Sequence, residues 1–167
     1  MEAWPEPVER VAEVLRLAAV ESRLEEFPEG TPTAAAAARA VGCELPQIVK
    51  SLVFVCDGRP VLALVPGDRR ADERLVAEEA GAAEIRVANA AEVLQATGYE
   101  VGAVAPFPLR AVDEVLLEQT VLQHHRVWIG AGSPAHMAGI APSELERLSG
   151  ARTADLVGRR YSSSTDP

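Results

Sequence analysis

The sequence predicts one α+β domain, a mixed, mostly antiparallel sheet with flanking helices. Three observations carry this reading. Apolar residues recur at helical spacing near the start, two β-rich runs flank an Asp-Gly turn in the middle, and glycines or prolines bound the segments that follow. At 167 residues the chain has the size of one domain, and folding at that length buries about two-thirds of the unfolded surface. With 48% apolar residues it can build a core without disulfide or metal staples. No internal repeat and no interdomain linker interrupts it. The expected domain covers residues 1–157, followed by a polar, disordered tail over 158–167.

In order along the chain, Val8, Val11, Ala12, Leu15, Ala18 and Ala19 form the apolar stripe of a first helix, opposite Glu9, Arg10, Glu13 and Arg16. Ser22 to Phe27 is short and charged, and residues 28–32 are a turn. Thr33 can cap an alanine helix over 34–41, which Gly42 stops. Residues 48–55 and 61–65 are strands of a hairpin turning at Asp57-Gly58. Asp72 opens a third helix that runs to Ala80 and stops at Gly81. An extended piece follows at 85–88, then a short helix over 90–96 that ends near Gly98. Residues 101–108 form a loop or short strand that presents backbone, and 112–122 is ambiguous. A last strand pair is expected at 127–130 and 137–140, and a final helix from Pro142 to Gly150.

The formal net charge is −9, which argues against a general nucleic-acid binder but leaves room for a local basic patch that touches an RNA end. The longest apolar runs are short, so no membrane span is expected. The opening residues are acidic and proline-bearing rather than basic and then apolar, so the expected location is the cytoplasm. Cys43 and Cys56 lack metal-ligand spacing and are expected as reduced thiols. No phosphate-binding glycine loop, nucleophile elbow or zinc-protease motif is present, and no cofactor or metal is implied. The adjacent His124 and His125 cannot both face one side of a strand. With His136, they are expected as surface or structural histidines.

Of the 16 Lys plus Arg residues, 15 are Arg and one is Lys50. A lone lysine marks a candidate position where a compact ammonium is needed and a broad guanidinium will not serve. Chance survival of one surface lysine is the competing explanation. The run Gln47-Ile48-Val49-Lys50-Ser51-Leu52-Val53-Phe54 sets Lys50 near the start of an apolar strand. Further on come Pro66-Gly67-Asp68, the small-residue segment Gly102-Ala103-Val104-Ala105-Pro106-Phe107, and the loop Gly130-Ala131-Gly132-Ser133.

In that order these segments resemble the YbaK/prolyl-tRNA-synthetase-insertion superfamily of aminoacyl-tRNA deacylases, over about Thr33 to Leu156. The resemblance implies a YbaK-like fold and a trans-editing hydrolase that removes a small amino acid from mischarged aminoacyl-tRNA. It puts Lys50 on the family's functional lysine. It makes Gly102, Ala103, Val104, Ala105, Pro106, Phe107, Gly132 and Ser133 the substrate-binding loops. The expected partners are the 3′ end of aminoacyl-tRNA and, in addition, an aminoacyl-tRNA synthetase. Ala103 and Ala105 stand where many members carry Gly or Ser, which narrows the expected pocket.

The chemistry of the residues agrees. Ester hydrolysis needs the RNA end held, the carbonyl polarised and a water positioned; a single cation and oriented backbone N–H groups supply the electrostatics. The ester is already activated, so a catalytic His or Ser is not obligatory. Phe107 reads equally as a core residue, and Ser133 as a turn residue. Arg69 and Arg70 read either as solvated charge, the stronger reading, or as contacts to acceptor phosphates. Two other classes compete: a non-catalytic aminoacyl-tRNA or synthetase-binding module, and a Schiff-base enzyme using Lys50.

Overall fold

The computed structural model describes residues 4–158. The tail expected beyond Gly158 lies outside the described residues. The helices form where the sequence supplies both a stripe and a cap. α1 (Glu6–Leu17) buries Val8, Val11, Ala12 and Leu15, while Ala18 and Ala19 fall beyond its end, Ala19 with φ 54°. α2 (Ala34–Val41) begins where the Thr33 side chain accepts from Ala36 N at 3.0 Å, and ends at the left-handed Gly42. α3 (Glu73–Ala80) is capped by Asp72, which accepts from the amides of Arg74 and Leu75. α4 (Ala90–Thr97) carries the reciprocal capping box of Asn89 and Glu92. α5 (Pro142–Ser149) starts after Ala141 without a side-chain cap.

β2 (Val49–Cys56) and β3 (Arg59–Pro66) pair antiparallel over eight residues, Val49 opposite Pro66 and Cys56 opposite Arg59. Asp57 and Gly58 at the turn both have positive φ, 49° and 79°, the backbone that matches the twist of a tight hairpin. β4 (Ile85–Val87) flanks β2, whereas β5 (Glu114–Glu118) and β8 (Arg152–Ala154) extend the sheet beyond β3, giving the order β4-β2-β3-β5-β8. A second sheet has the order β1-β7-β6, from β1 (Arg23–Glu26), β6 (Val127–Gly130) and β7 (His136–Ile140). A parallel bridge between Ile48 and Trp128 joins the two. Among the described residues the β1–β7, β2–β3, β2–β4 and β6–β7 pairings are antiparallel, and β3–β5 and β5–β8 are parallel. This is the mixed, mostly antiparallel α+β architecture the sequence predicts.

Core packing explains why β3 is central. Val61, Ala63 and Val65 face one cluster with Phe54, Val76 and Leu156; Leu62 and Leu64 face another with Val11, Phe107 and Ile129. All five residues from Val61 to Val65 are fully buried, and each large side chain among them contributes about 1.5–3 kcal/mol by leaving water. A third cluster seats Ala37 and Ala38 of α2 against Ile48, Trp128 and Met137.

Three strands have no clear signature in the sequence. β1 is polar and half-exposed, so it lacks an apolar pattern and takes its shape from pairing with β7. β5 lies in the ambiguous 112–122 stretch and leads directly into a 3₁₀ helix (Gln119–Gln123). Their junction, Glu118, is fully buried, and its carboxylate accepts from Thr120 N, Thr120 Oγ1 and Leu156 N at 2.6–2.8 Å. β8 is only three residues long.

A Cβ added at Gly130 would come within 2.7 Å of the Val104 carbonyl oxygen, so β6 abuts the 101–107 segment only because residue 130 has no side chain. Gly130→Ala should destabilise the protein by about 1–3 kcal/mol in urea unfolding at unchanged m value. An unchanged midpoint would show that this approach is not a constraint.

Candidate active site

Lys50 sits on the second residue of β2, opposite Val65, where the buried hairpin reaches its open end. The turn after β3 curls back over it. Gly67 N donates to Ile48 O at 2.7 Å and Arg69 N to Pro66 O at 3.1 Å. The Lys50 Nζ then donates to the Arg69 carbonyl at 2.6 Å. Arg69 itself is fixed, its guanidinium donating to the carbonyls of Val157 and Gly158 at 3.0 and 3.1 Å. One donor of the ammonium is thus spent on holding its position. Partial burial pushes the Lys50 pKa below the ordinary lysine value; Asp68 opposes that shift and Arg70 adds to it.

Two clefts meet at this lysine. The larger, about 790 Å³, opens between the 70–74 segment and Val87, Ala88 and Val101. The smaller, about 390 Å³, opens between the start of α2 and the residues Gly130, Ser133, His136 and Met137. Lys50, Ser51, Leu52, Val101, Gly102 and Val104 line both, so they form the ridge between the two. The Ser51 hydroxyl is buried there without a hydrogen-bond partner among the described residues.

The predicted site residues divide. Lys50, Gly102, Val104 and Ser133 come together around the smaller cleft although they are distant in sequence. Ala103, Ala105, Pro106 and Phe107 do not line either cleft. After Gly102, at φ 85°, the chain turns inward and these four residues are buried. Phe107 is a core residue, and the Tyr99 hydroxyl donates to its carbonyl at 3.0 Å. Tyr99 is itself enclosed, its pKa pushed up to about 12 by burial. Gly132 lines neither cleft. Its φ is 99°, and a Cβ at this position would lie only 2.8 Å from the Pro7 carbonyl, so it serves the approach of the loop to α1.

His136 is the residue that sequence reasoning undervalues. It is 5% exposed at the start of β7 and lines the smaller cleft. Its Nδ1 lies 2.5 Å from Ser133 Oγ, and its Nε2 lies 3.2 Å from Glu26 Oε2, outside hydrogen-bond geometry. Trp4 meets the ring edge-on at 5.4 Å. The spacing of Ser133 and His136 across a loop into a strand is the available signal, but the neighbouring Glu26 lies on a strand that the pattern does not reveal. His124 and His125 lie in neither cleft. Among the described residues no three His, Cys, Asp or Glu side chains converge as metal ligands, and Cys43 and Cys56 are free thiols.

This fold has counterparts among known proteins. The family model of the aminoacyl-tRNA editing domain matches residues 28–148, and the chain belongs to that family. It is 32% identical to the uncharacterized protein YwhH of Bacillus subtilis over 130 residues, which is 77% of this chain and 82% of that one. It is 35% identical to a proline–tRNA ligase of Lactobacillus johnsonii over 85 residues, covering 51% of this chain but only 15% of the ligase. A solved structure described as a candidate trans-editing enzyme for prolyl tRNA synthetase superposes with a TM-score of 0.86 at 34% identity, over 94% of this chain and all of the other. The hypothetical protein APE2540 superposes with a TM-score of 0.81 at 31% identity, over 88% and 98% of the two chains.

Because Lys50 is the single lysine, side-chain labelling of lysine gives one resonance to titrate. Its midpoint should fall below about 10.4, the ordinary value. Arg70→Ala should raise the midpoint and Asp68→Asn should lower it further, as the signs of their fields require. A wild-type midpoint at or above the ordinary value would contradict the geometry described for Lys50.

Proposed function

We propose that the chain is a trans-editing hydrolase that deacylates mischarged aminoacyl-tRNA carrying a small amino acid, with Lys50 as the catalytic cation. The observation that carries the reading is the position of Lys50: an ammonium, anchored by one backbone carbonyl, stands where two clefts meet. The editing unit is taken to span residues 1–157. The cytoplasm is its proposed location, since aminoacyl-tRNA is made there. Among the described residues no helix is long and apolar enough to cross a membrane.

In this mechanism the aminoacyl ester lies across the ridge. The ammonium faces the ester carbonyl and stabilises the negative charge that develops on its oxygen as water adds. The tetrahedral adduct then collapses: the bond between the acyl carbon and the ribose oxygen breaks, releasing the free amino acid and the terminal hydroxyl of the tRNA. The neighbouring ribose hydroxyl assists removal of the water proton, so no protein base is required. The smaller cleft takes the amino-acid side chain. Ala34, Ala37 and Met137 supply apolar wall and Ser133 and His136 supply polar groups, a lining suited to a short side chain.

Similarity to a segment of proline–tRNA ligases favours tRNA for proline as the RNA and that synthetase as a functional partner. The acidic chain, at −9, has little long-range attraction for RNA of its own.

The test is a panel of purified aminoacyl-tRNAs, each incubated with the protein and scored for loss of ester. Turnover should appear for small residues such as Ala, Ser, Thr, Cys or Pro, and Lys50→Ala should lower it by about 10²–10³, the cost of one oriented electrostatic donor. Tight binding of aminoacyl-tRNA with no hydrolysis of any member would favour the non-catalytic module instead.

A further inference from the structure

His136 is enclosed on three sides. β1 and β7 pair so that Glu26 stands directly opposite it, and the Glu26 Oε2 lies 3.2 Å from Nε2, within ion-pair distance. Trp4 meets the ring edge-on, and Ser133 Oγ lies 2.5 Å from Nδ1. The imidazole is 5% exposed and the Glu26 side chain 54%. The carboxylate thus reaches in from solvent to a buried nitrogen that has no hydrogen-bond partner among the described residues. Trp4 and Glu26 both precede residues 28–148, the span of the editing-domain match.

These distances decide where the proton of the neutral imidazole sits. A bare Nε2 would turn its lone pair toward a carboxylate, whereas a protonated Nε2 turns an N–H toward it. The field of Glu26 therefore favours the Nε2–H tautomer. Nδ1 is then an acceptor, and the short contact to Ser133 is a hydrogen bond that the hydroxyl donates. Ser133 Oγ also accepts from Ala135 N at 3.0 Å. A hydroxyl has one donor and two acceptor positions. With the donor engaged by His136 and one acceptor by Ala135, Ser133 keeps one acceptor position, and it lines the smaller cleft together with Lys50. In the opposite tautomer Nδ1–H would donate to Ser133, and the hydroxyl proton would be released to serve as a donor.

We propose that Glu26 is a positioning residue: through the His136 tautomer it makes Ser133 an acceptor, and that acceptor takes the α-amino group of the aminoacyl ester. This rests on the deacylase reading, which puts the ester carbonyl at Lys50. The cleft then carries a cation and an acceptor in its lining. The Lys50 ammonium attracts the carbonyl oxygen and repels an α-ammonium. Ser133, with the Glu26 charge behind it across the ring, accepts an N–H from that ammonium. An ester bound the wrong way round sets cation against cation, which fixes its orientation. The arrangement selects a free amine. An N-acylated ester has lost the positive charge, keeps a single N–H and carries added bulk, so it is rejected.

The test has two arms. The first reads the proton directly. With isotope-labelled histidine only His124, His125 and His136 contribute, and long-range proton–nitrogen correlations, recorded where the rings are neutral, distinguish the tautomers. His136 should carry its proton on Nε2 in the wild-type protein. Glu26→Ala should shift it toward the Nδ1–H form, and Glu26→Gln, which keeps an acceptor, should restore Nε2–H. The second arm titrates 3′-deoxy-3′-(alanylamino)adenosine, whose amide link resists hydrolysis, and its N-acetyl counterpart. The free amine should bind at least about tenfold more tightly, the contribution of one hydrogen bond to a charged group, and both Glu26→Ala and Ser133→Ala should abolish that preference. Glu25→Ala, on the other face of β1 where Glu25 pairs with Arg23, should leave it unchanged. An Nδ1–H tautomer in the wild-type protein, equal binding of the two ligands, or variants that weaken both ligands equally would overturn the proposal. If the wild-type protein hydrolyses no aminoacyl-tRNA, the deacylase reading fails, and these two arms still decide the role of Glu26. Thermal unfolding of each variant confirms that the fold is intact.

Discussion

Eight residues of β2 lie in register against eight residues of β3, and β3 is buried on both faces. A one-residue slip of that pairing would turn Val61, Ala63 and Val65 toward the opposite core and exchange them with Leu62 and Leu64, which differ in size. The register is therefore fixed by packing on both sides, and with it the height of every residue on β2. Lys50 stands at the open end of the ladder, opposite Val65 and one residue from Pro66. There the strand leaves the core and a charged side chain can be half-covered without being sealed in. The Arg69 carbonyl completes the arrangement by holding the ammonium at 2.6 Å.

Around that fixed point the site is built from backbone approach rather than from a cluster of reactive side chains. Gly67 packs under the 45–48 turn, where a Cβ would lie 2.8 Å from the Leu45 carbonyl oxygen, and Gly130 admits the Val104 carbonyl. Gly132 lets its loop settle on the start of α1. These contacts bring β2, the 101–104 segment and the 130–136 loop together, three parts of the chain that local sequence does not connect. Small residues at these positions are required by distance, and the same smallness leaves space for two clefts.

Much of this is legible in the sequence because it is written in local chemistry. The Thr33 and Asp72 caps, the left-handed Gly42 and Gly81, and the Asp57-Gly58 turn all act within a few residues. The lone lysine and the order of the flanking segments point to the site. What is not legible depends on partners far away in the chain. β1 has no apolar alternation and is defined by its pairing with β7. Phe107 and its neighbours are expected in the pocket, but a buried phenylalanine and a pocket wall have the same residue type, and only the inward turn at Gly102 separates them. His136 carries no metal or triad spacing, so its meeting with Ser133 and Glu26 needs the fold. Arg69 and Arg70 are adjacent and alike in sequence; the carbonyls of Val157 and Gly158 distinguish them.

The central claim is that the site requires a compact ammonium at the ridge between the clefts and not merely a positive charge. An arginine at position 50 keeps the charge but places a wider, planar group against the Arg69 carbonyl and into both clefts. The most direct measurement is the single-turnover rate of deacylation by Lys50→Arg on the mischarged tRNA that the wild-type protein hydrolyses. The account predicts a loss of at least about a hundredfold, near that of Lys50→Ala, in a protein that unfolds at the wild-type temperature. Hydrolysis by Lys50→Arg at the wild-type rate would contradict it.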